Sequence, residues 1–197
     1  MTHRTLLAAC VVALATLTLF PGPTRATQCG DDRQSTSQHT TTTSTSSGGH
    51  QPTAQEVVAE LGLAPNVEGG YYVETFRDAA LLPGGSNRSV STAIYYLLEG
   101  PGLPSVWHRV DAAEVWHWYG GASLELQLSR DDGTPTRRHV LGPDLFRDQR
   151  PQVVIPAGDW QRAVSYGSWT LVGTTVSPAF VPEGYELAPD GWEPNGA

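Results

Sequence analysis

Trp107-His108-Arg109-Val110-Asp111-Ala112-Ala113-Glu114-Val115-Trp116-His117-Trp118-Tyr119-Gly120-Gly121 is the stretch whose reading decides the fold. Residues 105–110 and 114–119 are rich in β-branched and aromatic side chains, and each reads as a strand. The same rhythm runs outward from them. Residues 71–76, 89–98, 123–129, 136–141, 152–155, 161–165 and 169–176 also read as strands. Breakers stand between them: Pro83-Gly84-Gly85, Gly100-Pro101-Gly102, Asp131-Asp132-Gly133 and Pro156-Ala157-Gly158. Short β segments at this spacing, with almost no helix, predict an all-β sandwich or barrel. One short helix precedes them. Thr53-Ala54-Gln55-Glu56 is a capping box, Val57, Val58 and Leu61 form one apolar stripe, and Gly62 ends the helix.

Composition narrows the function. The 197 residues carry 12 Lys+Arg against 20 Asp+Glu, a net charge of -8, and every one of those bases is Arg. With no lysine, Schiff-base chemistry and a phosphate-loop lysine are excluded. The acidic balance argues against a duplex nucleic-acid partner, which needs a basic face. Every aromatic residue except Phe20 lies between Tyr71 and Trp192, so the core-forming material is C-terminal. The length suits one domain with tails.

Residues 1–26 read as a secretory signal. Arg4 supplies the positive start, and Leu6 to Phe20 is a 15-residue uncharged run. That is shorter than the ~20 apolar residues of a membrane span and suits a signal core. Pro21-Gly22-Pro23 breaks it, and Thr24-Arg25-Ala26 offers a cleavage site. After cleavage no membrane attachment is expected, the location is secreted or extracytoplasmic, and Cys29 is the only cysteine left. Residues 27–52 read as a disordered linker, with eleven Ser/Thr among the thirteen residues 35–47. The folded domain is expected over 53–192, with a short tail over 193–197. Asn87-Arg88-Ser89 is a glycosylation sequon, meaningful only in a eukaryotic secretory pathway. Gly69-Gly70 lacks the strand–helix context of a phosphate loop and reads as a tight turn.

Two clusters resemble the cupin signature. His108, Val110, Glu114 and Gly121 keep the spacing of its first motif, with valine where the second histidine stands. Pro156-Ala157-Gly158-Asp159-Trp160-Gln161 resembles the second motif, with Gln161 in the histidine place. The strings Glu68-Gly69-Gly70-Tyr71-Tyr72, Ser91-Thr92-Ala93-Ile94-Tyr95, Glu114-Val115-Trp116-His117-Trp118-Tyr119 and Leu141-Gly142-Pro143-Asp144-Leu145 are similar to the cupin-5 family (domain of unknown function 985), of the sugar-epimerase-like cupins. The resemblance implies a cupin jelly-roll β-barrel, frequently homodimeric, with a small-molecule pocket in its mouth. It implies no particular reaction.

Strand alternation then orders the candidates. If His108 faces the interior, Val110 does too; with Glu114 inside, as in metal cupins, Trp116 and Trp118 join it and His117 points outward. A bulge would reverse that parity. For a metal, the site offers only His108, Glu114 and the weak ligand Gln161, so no cofactor is expected, and a divalent metal stays the lesser alternative. For acid–base work, His108 pairs with Glu114, and Tyr72 or Tyr95 serves as phenolic acid, as the analogy with sugar epimerases implies. Those enzymes also use a lysine, for which Arg77 or Arg109 would have to stand in. For binding alone, Trp116 and Trp118 suit stacking on a sugar ring, with Gln161, Glu114 and Arg109 as hydrogen-bonding partners and His117 held in reserve. A purely structural role for the His108–Glu114 pair and for these tryptophans stands beside all three readings.

Overall fold

A computed structural model describes residues 51–197; the signal, both cysteines and nearly all of the linker lie outside the described residues. The helix forms as its signals dictate. α1 (Ala54–Leu61) begins with Thr53 and Glu56 capping each other reciprocally and ends at Gly62, whose φ of 64° is left-handed. It lies on the surface, where the Gln55 amide donates to Tyr71 and Glu99.

The strands are β1 (Ala64–Pro65), β2 (Tyr71–Arg77), β3 (Thr92–Glu99), β4 (His108–Val110), β5 (Ala113–Gly121), β6 (Leu124–Ser129), β7 (Arg137–Leu141), β8 (Gln149–Arg150), β9 (Gln152–Ile155), β10 (Trp160–Ser165), β11 (Trp169–Ser177) and β12 (Tyr185–Leu187). They form two six-stranded sheets, β1-β2-β3-β11-β5-β9 and β12-β4-β10-β6-β7-β8. Every pairing is antiparallel except that of β7 with β8. Among the described residues the expected all-β jelly-roll is present, as two stacked sheets with one α-helix rather than a closed barrel. The strands missing from the sequence reading, β1, β8 and β12, have only two or three residues each, too few to show a period.

The sheets meet face to face. Leu124, Leu126, Leu128, Leu141 and Ala163 from one pack on Leu98, Trp116, Val153, Ile155 and Val172 from the other. Alternation along β6 explains the leucines: all three are at most 1% exposed. Leucine fills only one end of the sandwich. Along β3, β5 and β11, the inward positions towards the other end are Thr92, Ile94, Glu114, Thr174 and Val176, and these line a cavity.

The outer face of the second sheet is covered by the C-terminal segment. Trp192 packs 4.4 Å from the Trp160 ring and edge-on to Trp107. Glu193 accepts from Trp107 Nε1 and Arg162. Residues 193–197 are tied down by further bonds, from Asn195 N to Asp131 and from Thr136 N to Gly196 O.

Candidate functional site

The cavity encloses about 330 Å³ between the sheets. Alternate residues of five strands face it: Tyr72 and Glu74 on β2, Thr92, Ile94 and Tyr96 on β3, His108 and Val110 on β4, Glu114 and Trp116 on β5, and Thr174 and Val176 on β11. The parity argument therefore places His108, Val110, Glu114 and Trp116 together.

His108 is 4% exposed. Its Nδ1 lies 3.0 Å from the carbonyl oxygen of Val106, which can only accept, so Nδ1 carries the proton. Nε2 faces Glu68 Oε2 at 3.5 Å. That is an ion-pair distance, too long for a strong hydrogen bond. The carboxyl partner of His108 is thus Glu68, from the turn before β2, and not Glu114. Val106 fixes both members, because its N–H also donates to Glu68 O. Asn66 N–H donates to Gly70 O and the Tyr96 hydroxyl to Gly69 O, which pins the turn onto β3.

Burial raises the Glu68 carboxyl above its ordinary range, chiefly through lost solvation; His108 opposes this and nearby Glu114 reinforces it. Tyr185, on β12, completes the group. Its ring lies 5.8 Å from the His108 ring. Burial and the two glutamates push its phenol far up, so it holds its proton at any physiological pH. The hydroxyl is directed at the Glu68 carboxyl, in a geometry short of a full hydrogen bond.

Glu114 takes a different partner: the Gln161 amide donates to its Oε2 at 2.6 Å. Gln161 is also the register partner of His108, so imidazole, carboxylate and amide do meet. The other candidates scatter. Tyr72 lines the cavity at its mouth, 40% exposed, and Tyr185 rather than Tyr72 is the phenol beside the histidine. Trp118 packs against the leucine end, donating Nε1 to Ala122 O. Arg109 lies outside the cavity, bound to Glu186 and stacked on Trp160. Tyr95 and His117 sit around Tyr119, away from the cavity: the Tyr95 ring meets Tyr119 edge-on and His117 stacks on it. They belong to the alternate positions of β3 and β5, which face away from the interior.

At the positions of the metal-cupin motifs the site keeps two of the four donor residues, His108 and Glu114. Val110 is apolar where a second imidazole would be needed, and the Gln161 amide nitrogen is turned to Glu114. Among the described residues, no three His, Cys, Asp or Glu side chains converge to hold an ion.

Glu68 also has a stability signature. Its native carboxyl binds a proton more tightly than in the unfolded chain. As pH rises through the ordinary carboxyl range, the unfolded chain loses its proton first, so stability falls until the raised native value is passed. Each pH unit between the two values is worth about 1.4 kcal/mol. Glu68→Gln is therefore expected to melt roughly 2–4 °C higher per kcal/mol recovered at pH 7, with the gain vanishing towards pH 4. A variant that melts lower than the wild type at pH 7 contradicts this.

Residues 55–188 match the model of a family described as the cupin superfamily, DUF985. A hypothetical protein from Leishmania major is similar at 29% identity and a TM-score of 0.63, over 68% of this chain and 86% of its own. A crystal structure of a protein from Shewanella oneidensis is similar at 32% identity and a TM-score of 0.64, over 70% of this chain and 85% of its own. No curated protein matches the chain.

Proposed function

The chain belongs to the DUF985 family of the cupin superfamily, and on that premise we propose that it is a secreted protein whose cavity binds a small polar, sugar-derived molecule and moves a proton on it, as an epimerase or isomerase does. One observation carries the reading: His108 Nε2, its tautomer fixed by Val106, faces the buried acid Glu68. A neutral imidazole accepts a proton from a carbon acidified by a neighbouring carbonyl. The Glu68 carboxyl, whose hold on a proton burial strengthens, returns it. Tyr185 keeps its own proton and donates a hydrogen bond to the oxygen on which charge develops. Glu114, held by Gln161, orients the ligand.

The test is solvent exchange. The protein is incubated in deuterium oxide with a panel of sugars, keto-sugars and sugar nucleotides, and loss of carbon-bound proton signals is followed by NMR. His108→Ala and Glu68→Gln are each expected to slow exchange on the order of 100-fold while ligand affinity changes little. Exchange undiminished in His108→Ala overturns the assignment. A ligand that binds the wild type without exchange makes the protein a binding module instead.

A further inference from the structure

We propose that the ligand of this cavity is a compact organic cation, a protonated amine bearing hydroxyl groups, and not an anionic sugar nucleotide. The inference rests on the reading above for the site, and it stands or falls separately from the proton transfer.

The cavity wall carries three carboxyl groups, Glu68, Glu74 and Glu114. Facing them are one arginine and one histidine. Arg77 is already engaged: its Nε and Nη2 donate to the two carboxylate oxygens of Glu74 at 2.9 and 2.7 Å, and Nη1 reaches Phe180 O. It presents no free fork to a phosphate. His108 has its Nδ1 on Val106, and its Nε2 faces Glu68. Glu74 is paired with Arg77 and Glu68 faces His108, so an anion entering this enclosure would meet the charge of Glu114 without a cation beside it, and like charges repel most strongly where solvent is scarce.

Glu114 is the sharper sign. Its residue is 6% exposed, and among the described residues the one hydrogen bond of its carboxyl group is that which Oε2 accepts from neutral Gln161. Among the described residues no donor reaches Oε1 and no cation lies within ion-pair distance, and the side chain lines the cavity. A carboxylate buried with one neutral partner is costly unless a positive group joins it. Behind the lining, Gln161 Oε1, on a residue 1% exposed, is a buried acceptor without a donor. The unmet demand around Glu114 is thus for N–H donors, which an ammonium supplies in threes.

Two features complete the ligand. Trp116 Nε1, on a residue 2% exposed and lining the cavity, is a buried donor without an acceptor among the described residues, and a ligand hydroxyl oxygen that reached the indole edge would supply one. Tyr96, Trp116, Phe180 and Tyr185 give the wall aromatic surface, and a cation gains from aromatic faces where an anion does not. The volume, about 330 Å³, lies at the small end of ligand pockets, which begin near roughly 300 Å³. That suits one ring or a short chain.

The test uses three rings of like shape and different charge. Glucosamine, glucose and glucuronate are titrated into the full chain by calorimetry at pH 6.5, with ethanolamine as a fourth probe. Glucosamine is expected to bind on the order of tenfold or more tighter than glucose, the worth of one charge-assisted contact, and glucuronate not to bind. In Glu114→Gln the ratio of glucosamine to glucose affinity is expected to fall towards one. Should that variant not fold, the wild-type ranking alone decides. Glucose or glucuronate binding as tightly as glucosamine overturns the proposal, and so does silence from both amines. An intact ranking without proton exchange removes only the catalytic reading; exchange with the ranking lost removes only this one.

Discussion

Trp116→Ala is expected to lower the unfolding free energy by about 3–5 kcal/mol, the range for deleting a buried tryptophan. Trp116 is 2% exposed and stands where the leucine-packed end of the sandwich meets the cavity. Its ring meets Tyr96 edge-on, with centroids 5.9 Å apart at 79°, a geometry that adds to plain burial. Its strand neighbours are Thr174 on β11 and Val153 on β9, both too short to reach into the space an indole leaves. The void would join the cavity, so water can enter, which keeps the loss inside that range. Domains of this kind hold about 5–15 kcal/mol in all, so the variant should keep its fold with a much lower denaturation midpoint. The measurement is guanidinium unfolding at unchanged slope. A loss below about 1 kcal/mol would mean that the indole is cavity lining alone and supports no core.

Alternation carried most of what could be read in advance. It put His108 with Val110 and Glu114 with Trp116 on one side, and all four line the cavity. It put His117 on the other side, where it stacks on Tyr119. The same rule, applied to Arg109 between His108 and Val110, already implied the outer face on which it pairs with Glu186. Alternation is silent on depth. Trp118 faces inward as expected but two positions too far along β5, against the leucines. The 66–70 turn and β12 have no period to read. Glu68 reaches His108 because a backbone bond from Val106 holds its turn in place, and Tyr185 because β12 pairs with β4, seventy-five positions earlier at Val110. Both contacts arise from pairing between distant segments, which local pattern does not encode. A carboxyl followed by two glycines, Glu68-Gly69-Gly70, was the available hint.

Gly70→Ala is expected to be the most damaging change in that turn, at about 3–4 kcal/mol, combining left-handed strain with a steric clash. The φ of Gly70 is 69°, which a side chain disfavours, and an added Cβ would lie within 2.3 Å of the Leu97 carbonyl oxygen. That atom is backbone in the middle of β3, so no rotamer relieves the contact; the turn itself must lift. Lifting it pulls on Asn66 N–H to Gly70 O, on the Tyr96 hydroxyl to Gly69 O, and on the Val106 N–H to Glu68 O. Those bonds aim Glu68 at His108, so proton exchange should fall further than lost stability alone explains, even in the fraction still folded. Gly69→Ala is the control. Its φ of 94° carries the conformational strain, but nothing lies within 4 Å of its added Cβ. Melting temperature and deuterium exchange are compared for the two variants at a temperature where both are folded. If Gly70→Ala proves no worse than Gly69→Ala on either measure, the Leu97 carbonyl is not what seats the turn, and the aim of Glu68 must come from elsewhere.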